Sequence, residues 1–390
     1  MNEKTKPAAG DEQERLILDA VERFLEREVK PRVRALEAAD EYPRGLADGI
    51  AALGLYGATI AQEYGGLGLP VTTYTRVIER VSAVWMSLSG LFNSHLIVAS
   101  AVQRHGTPEQ KQRWLPQLAS GAVRCGIALT EPGCGTDLQA VRTRAVRNEK
   151  SGHYLVNGTK TWITNSVEGD ALAVLVKTDP AADPPHRGMS LLFVEKKMGY
   201  KAKKLKKLGY RGIDTGEVEF ADVKVPLDHV IGGAEGRGLQ QILAGLELGR
   251  INIAARGVGL ARACLEEALA YAQQRVTFGK PIAEHQAIQI KLADMATRVE
   301  AARLLTESAA RAFERGERCD MEAGMAKLYA SEAAVENSIE AMRILGAYGY
   351  SPEFNIERYY RDAPLLAIGE GTNEMQRIII ARQLVKRYPV

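Results

Sequence analysis

The stretch Tyr154-Leu-Val-Asn-Gly-Thr-Lys-Thr-Trp-Ile-Thr-Asn165 decides the class of fold, because it lies in the part of the chain where the helical period stops. Short runs rich in β-branched and aromatic residues are typical of strands. Asn157-Gly158 separates two such runs and predicts a hairpin turn. Strands do not alternate with helices here, so we expect a small antiparallel barrel or sandwich rather than a Rossmann domain. The same pattern continues in the runs 171–176, 189–194 and 218–226.

The chain on both sides of this block has the period of helices. Apolar residues recur at i, i+3 and i+4 from Leu16 to Leu25, and Thr107-Pro-Glu-Gln110 has the form of a helix start with a capping box. Four long amphipathic stretches follow Gly236, at 240–274, 283–315, 321–347 and 374–386. We therefore predict a mainly α protein with a central β domain: an N-terminal helical domain (1–122), a middle β domain (123–235) and a C-terminal four-helix bundle (236–390).

Composition excludes several function classes. The 390 residues carry a net charge of only +3 with no basic block, so nucleic-acid binding is not expected. The four cysteines show no metal-ligand spacing, which favours reduced thiols and no metal site. Met1–Gly10 is polar and no run of about 18 apolar residues occurs, so we expect no secretory signal, no membrane association and a cytoplasmic location.

One candidate for acid–base chemistry is Glu370, in the segment Ile368-Gly-Glu-Gly-Thr-Asn-Glu-Met-Gln-Arg377. Glycines flank the carboxylate, and a helix is predicted to open at Thr372 or Asn373. Such a group could take a proton from a substrate pressed against it. Read alone, an acidic residue in such a Gly-x-Gly loop is more often part of an ordinary turn.

Three other segments carry groups that suit a flat, phosphorylated ligand. Ala128-Leu-Thr-Glu-Pro-Gly-Cys-Gly-Thr-Asp137 leaves a strand into a turn that could cradle a phosphate or be a plain surface loop. Trp162 and Thr164 lie on one face of a predicted strand, where they could stack on and hydrogen-bond a heterocycle, or belong to the core. Arg275-Val-Thr-Phe-Gly-Lys-Pro-Ile-Ala-Glu-His-Gln286 joins two helices and offers a guanidinium, a ring and an amide.

These four segments, in this order and with Tyr348-Gly-Tyr350 and Arg361-Asp-Ala363 between them, resemble the acyl-CoA dehydrogenase family over nearly the whole chain. The resemblance implies FAD as cofactor, an acyl-CoA thioester as substrate and electron-transferring flavoprotein as electron acceptor. It also implies a homotetramer built as a dimer of dimers, because cofactor sites are shared between subunits. Alternatives within the same fold are an acyl-CoA oxidase and a flavin monooxygenase or nitroalkane-oxidase-like enzyme.

The resemblance also implies a role for each candidate residue. Glu370 would be the catalytic base that takes the α-proton while hydride leaves the β-carbon for flavin N5. The FAD-binding residues would be Leu129, Thr130, Thr136, Trp162, Thr164, Arg275, Phe278, Gln286, Gly346, Thr372 and Glu374, with Arg275, Phe278 and Gln286 reaching the FAD of a neighbouring subunit. The substrate-binding residues would be Thr136, Glu247, Arg250 and Gly371.

Some members of the family carry the base on a bundle helix, just before an arginine that corresponds to Arg250. That position is Gly249 here, which has no side chain, so the resemblance assigns the base to Glu370. The sequence departs from the family at Arg343, Ala347, Cys134 and Gly369. Gly369 stands where a tyrosine is common and predicts extra room beside the base for a branched, cyclic or bulkier acyl group.

Overall fold

The computed structural model describes residues 9–389, so most of the Met1–Gly10 segment lies outside the described residues. The chain begins with helices that end where the sheet starts. Thr107 caps one of them as predicted, since its side chain accepts from Gln110 N and the Gln110 side chain accepts from Thr107 N. The α-helices of this part are α1 (Ala9–Phe24), α2 (Val33–Ala39), α3 (Arg44–Ala52), α4 (Val71–His105) and α5 (Pro108–Ala119).

A seven-stranded sheet follows, in the order β1-β4-β2-β3-β7-β6 with β5 paired to β4. The prediction of a mainly helical protein with a central β domain is confirmed. The sheet is mixed rather than purely antiparallel, because β4 runs parallel to β1 and β2. Its strands are β1 (Cys125–Ala128), β2 (Arg144–Asn148), β3 (His153–Thr164), β4 (Ala171–Lys177), β5 (Met189–Glu195), β6 (Lys201–Lys204) and β7 (Thr215–Pro226).

The predicted Asn157-Gly158 hairpin turn is wrong. β3 runs through both residues and pairs with β7 along its length, with register shifts at Val156/Gly158 and again at Lys160/Ile163. Gly158 has φ 146°, and a Cβ there would lie 2.5 Å from Thr143 Oγ1. The glycine therefore serves a β-bulge and a close approach of the neighbouring strand, which are the other uses of glycine within a strand.

Residues 236–389 of the C-terminal part form five α-helices rather than four. The helix that the sequence reading missed is Ile356–Ile368, whose buried face is formed by Ile356, Tyr359, Ala363 and Leu366. Pro364 inside it and the short length weaken its helical signal. The elements are α6 (Gly238–Gln274), β8 (Val276–Thr277), β9 (Lys280–Pro281), α7 (Gln286–Glu314), α8 (Asp320–Leu345), α9 (Ile356–Ile368) and α10 (Asn373–Arg387).

Helix α4 is the structural centre of the molecule, and it packs lengthwise on α6, which in turn packs on α8. In the described part of the chain it is the one helix long and apolar enough to cross a membrane, but 83% of its apolar window is buried inside the protein. The helix is interrupted at Trp85, whose φ of −153° and ψ of 100° are not helical. The segment after this break faces α6 and carries Asn93, which reaches the candidate base.

Candidate active site

Glu370 lies in the turn between α9 and α10 with a left-handed backbone, at φ 54°. A non-glycine residue in this region costs on the order of 1–3 kcal/mol, and such residues cluster at active sites and ligand clamps. Gly371 follows at φ 88°, and Thr372 then caps α10 by accepting from Met375 N. The helix start predicted at Thr372 or Asn373 is confirmed. The strained turn points the carboxylate inward, between α4 and α6.

The two carboxylate oxygens of Glu370 have different surroundings. Oε1 accepts a hydrogen bond from Asn93 Nδ2 at 2.6 Å. Oε2 is buried and has no hydrogen-bond partner among residues 9–389. A Cβ at position 249 would lie 2.1 Å from Oε2, so the glycine there is the space that the carboxylate occupies. One oxygen is thus anchored and the other is free to accept a proton.

Burial raises the pKa of Glu370, because the charged carboxylate is removed from water. Arg256, the hydrogen bond from Asn93, Lys327 and Arg250 act in the opposite direction, in decreasing order of effect. The net result is a raised pKa, which brings a general base closer to the working pH. The surrounding cations still favour the ionised form that proton abstraction requires.

Lys327 anchors the backbone of the base loop, which is the segment 367–373 that carries Glu370. Its Nζ donates to Gly371 O at 2.9 Å, to Asn373 Oδ1 at 2.8 Å and to Ala367 O at 3.2 Å. Burial lowers the pKa of Lys327 to about 8. Sequence reasoning missed Lys327, Asn93 and Arg256. The available signal was a polar or charged residue on the apolar face of a core helix, but that pattern does not say what the side chain meets.

On the sheet side, Trp162 and Thr164 lie where β3 departs from regular pairing. Trp162 has φ 62° and is 59% exposed, whereas Thr161 and Ile163 on either side are buried. A large aromatic ring left exposed by a strained backbone is available to stack on a ligand. Thr164 is half-buried beyond it. The alternative that Trp162 is a core residue is therefore wrong.

The loop 128–137 is attached to β3 by a buried ion pair that sequence reasoning did not identify. Lys160 Nζ donates to Glu131 Oε1 at 2.8 Å and to Leu129 O at 2.9 Å. Glu131 also accepts from the backbone N–H groups of Arg142 and Thr143. These contacts leave Leu129 and Thr130 half-buried beside β3, while Thr136 is exposed at the outer end of the loop.

The remaining proposed cofactor residues lie on the surface of this chain, except for the half-buried Thr372. Phe278, at the tip of the β8–β9 hairpin, has φ 51° and is 96% exposed, so its ring packs on little of its own subunit. The other exposed members of the predicted set are Arg275, Gln286, Gly346 and Glu374. Exposed residues of this kind suit a ligand or a second subunit.

Glu247 and Arg250 do not form the helical surface pair that their spacing allows. Arg250 is buried and its Nη1 lies 3.5 Å from Asp320 Oδ1, on the next helix. Burial and the nearby Asp320 raise the pKa of Glu247. Both residues therefore lie between α6 and the start of α8, and Arg250 also acts on Glu370 electrostatically.

A groove of about 370 Å³ between α1, α4, α6 and α7 does not include Glu370 in its lining. Its charged side chains pair with one another, as Arg76 does with Glu14 and Arg303 with Glu307. Paired surface charges require no ligand. The half-satisfied carboxylate of Glu370 is the stronger indication of a functional site.

Comparison with known proteins agrees with this geometry. Three family models match: acyl-CoA dehydrogenase N-terminal domain (residues 11–122), middle domain (126–223) and C-terminal domain (236–385). An acyl-CoA dehydrogenase of Bacillus subtilis is 41% identical over 93% of this chain and 95% of its own length. The chain belongs to the acyl-CoA dehydrogenase family.

Two solved structures extend the comparison. Butyryl-CoA dehydrogenase from Megasphaera elsdenii superposes with a TM-score of 0.93 at 33% identity, covering 99% of this chain and 100% of that one. A chain in a structure described as the electron transferring flavoprotein of Acidaminococcus fermentans also superposes with a TM-score of 0.93, at 35% identity, covering 99% of this chain and 100% of that one. The protein is accordingly an FAD-dependent oxidoreductase.

The residues of this chain fit a bound flavin. The exposed ring of Trp162 and the half-buried hydroxyl of Thr164 provide a stacking surface and a hydrogen-bonding group on one strand. The loop held by Glu131 and Lys160 lies beside them. No group of three or more His, Cys, Asp or Glu residues that could hold a metal is found among residues 9–389.

Proposed function

We propose that the protein catalyses α,β-dehydrogenation of an acyl-CoA thioester, with Glu370 as the base that removes the α-proton. The observation that carries the proposal is the Glu370 carboxylate itself. Glu370 is half-buried, Asn93 holds its Oε1, and its buried Oε2 has no hydrogen-bond partner within the described structure. A left-handed backbone places it in the space opened by Gly249.

The chain can supply both the base and a donor for the charge that develops on the substrate. An α-proton of a thioester is a very weak acid, so the thioester oxygen needs hydrogen-bond donors as the proton leaves. The backbone N–H of Glu370 makes no hydrogen bond to another residue in the described part of the chain. It is therefore available to the thioester oxygen, next to the carboxylate that takes the proton.

FAD, when bound, supplies the acceptor for the two electrons that leave the β-carbon as hydride. Trp162, Thr164, Leu129 and Thr130 would hold its ring system, and Thr136 would contact the flavin or the CoA diphosphate. Thr372, Glu374 and Gly346 would line the dinucleotide. The role of this chain is to fix the α-carbon of the substrate beside Glu370 and to exclude water from the carboxylate.

We further propose a homotetramer that passes electrons to electron-transferring flavoprotein in the cytoplasm. Arg275, Phe278 and Gln286 would complete the FAD site of a neighbouring subunit, which explains why the Phe278 ring is exposed in a single chain. Glu247 and Gly371, close to the base loop and α8, would contact the CoA thioester. The four cysteines are free, which suits a reducing compartment.

The test is anaerobic titration of the flavin-loaded protein with a panel of acyl-CoA thioesters: short, long, branched, aromatic and dicarboxylic. We expect at least one thioester to bleach the visible absorbance of the oxidised flavin, and Glu370→Gln to abolish that bleaching while flavin stays bound. The absence of bleaching by every thioester would refute the proposal. Rapid reoxidation of the substrate-reduced protein by air would favour the acyl-CoA oxidase alternative instead.

A further inference from the structure

Arg256 is a buried guanidinium on the same face of α6 as Gly249. The two residues are seven positions apart, which is two turns and about 10 Å along the helix axis. Arg256 is 2% exposed. Long side chains on a helix lean towards its N-terminus, which in this case is towards Gly249 and the Glu370 carboxylate. Arg256 is also the cation that acts most strongly on Glu370.

The hydrogen bonds of Arg256 are incomplete. Nη1 donates to Tyr210 OH at 3.4 Å, a long contact. Nε and Nη2 are buried and have no hydrogen-bond partner within residues 9–389. Removing a charge from water without a partner is strongly unfavourable. Nε–H and one Nη2–H form one edge of the planar fork, and this edge can hold a carboxylate through two parallel hydrogen bonds.

Neighbouring residues with special backbone or packing requirements fix the position of Arg256. The guanidinium lies 5.8 Å from the centre of the Tyr210 ring. Tyr210 has φ 56°, and its backbone N–H donates to the buried Asp362 Oδ1 at 2.6 Å. A Cβ on Gly90 of α4 would lie 1.7 Å from Tyr210 OH, so this glycine admits the hydroxyl. A strained residue and a required glycine together hold the arginine in place.

A second unpaired polar group lies between the base and Arg256 on the same helix face. Asn252 is three residues after Gly249 and four before Arg256, and its Nδ2 donates to Tyr74 OH at 2.7 Å. Its Oδ1 is buried without a partner in the described chain. Asn252 Oδ1 and the Arg256 guanidinium are therefore unsatisfied polar groups on the helix face that carries Gly249, whereas the wall of a pocket for a purely hydrocarbon chain is apolar.

We propose that Arg256 is the receptor for a carboxylate at the end of the acyl group, so that the substrates are short dicarboxylic acyl-CoA thioesters. This inference rests on the proposed dehydrogenase function and specifies its substrate class. The thioester end lies at Glu370 and the free carboxylate meets the Nε/Nη2 edge of Arg256. The short distance along α6 between Gly249 and Arg256 excludes a long chain between the two groups.

The test uses pairs of thioesters that differ only in whether the acyl group ends in a carboxylate or a methyl group. The pairs are glutaryl-CoA with valeryl-CoA, and 2-methylsuccinyl-CoA with 2-methylbutyryl-CoA. Anaerobic flavin bleaching and kcat/KM are measured for each. We expect the carboxylated member of at least one pair to be preferred by about 100-fold or more, because a desolvated charge pair contributes strongly to binding.

Arg256→Gln should remove that preference, by lowering kcat/KM for the carboxylated member about 100-fold relative to its methyl counterpart. Arg256→Lys should restore part of it, since the charge returns without the bidentate fork. Arg262→Gln is the matched control, because this arginine lies on the same helix but pairs with Glu79 at 3.0 Å. Its selectivity ratio should equal that of the wild type.

Two results would overturn the inference while leaving the dehydrogenase function intact. One is a wild-type protein that is bleached by the methyl-ended member of each pair as readily as by the carboxylated one. This measurement needs no variant and does not depend on the folding of Arg256→Gln. The other is an equal loss of activity on both members in Arg256→Gln, which would make Arg256 only a counter-ion of Glu370. Failure of every thioester to bleach the flavin would refute the proposed function itself.

Discussion

The substitution Gly249→Ala tests the placement of the base most directly. The new Cβ would lie 2.1 Å from Glu370 Oε2, whereas ordinary contact begins at 3.4 Å. The carboxylate must therefore retreat by about 1.3 Å, and a misplacement of about 1 Å can lower a rate on the order of 100-fold. Helix propensity acts in the other direction, since alanine in a helix interior is about 1 kcal/mol more favourable than glycine.

We therefore expect Gly249→Ala to lower kcat about 100-fold while the melting temperature changes by only a few degrees. Steady-state kinetics with the best thioester and a thermal melt of the flavin-loaded protein measure the two quantities. Gly245→Ala, one turn earlier on α6, is the matched control. Its Cβ would meet Ile97 Cγ2 at 3.3 Å, which a small shift of a methyl group relieves, so its activity should remain near wild type.

A double substitution separates a displaced base from a general disturbance of α6. Glu370→Asp shortens the side chain by one methylene group, so this variant should itself have a low kcat. In the Glu370→Asp variant, Gly249→Ala displaces the shortened side chain less. Its additional effect on kcat should therefore be much smaller than 100-fold. Full activity in Gly249→Ala, or equal effects of the alanine in both backgrounds, would refute the assignment of Gly249 as the space for the base.

Four further outcomes follow from the same contacts. Glu370→Gln should raise the free energy of unfolding at pH 8, because a carboxylate with a raised pKa destabilises the folded state above that pKa. The gain should shrink as pH falls through the folded pKa, and urea melts that show the same difference at pH 5 and pH 8 would contradict this. Lys327→Met should lower the free energy of unfolding by about 3 kcal/mol and also lower kcat, since three acceptors around the base loop lose their donor. An unchanged midpoint of urea unfolding would argue against that role of Lys327. Trp162→Ala should weaken flavin binding about 10-fold or more with little change in the melting point of the apoprotein, because the ring is 59% exposed. Phe278→Ala should promote subunit dissociation and flavin loss, seen by light scattering and absorbance, and an intact flavin-loaded oligomer would count against a role between subunits.

Much of the fold was predictable, because helix periodicity, capping residues and strand composition are local properties. The capping box at Thr107–Gln110 and the start of α10 are both where the sequence predicts them. Besides the parallel pairing of β4, the failures are at Asn157-Gly158 and Ile356–Ile368. In the first, pairing of β3 with β7 turned an expected hairpin into a bulge. In the second, a short helix with an internal proline forms because its apolar face is buried against the bundle.

The sequence by itself determined the family and the order of helical and β domains, and the family resemblance assigned the proposed base to Glu370 because Gly249 has no side chain. Only the tertiary structure decided what surrounds that base. Asn93, Lys327 and Arg256 are far from Glu370 in sequence, and long-range packing brings their charges and hydrogen bonds to it. The sequence pattern indicates which residues face the core, but not which unpaired polar atoms come close together there. Those contacts distinguish an ordinary acidic turn from a carboxylate placed to act as a base.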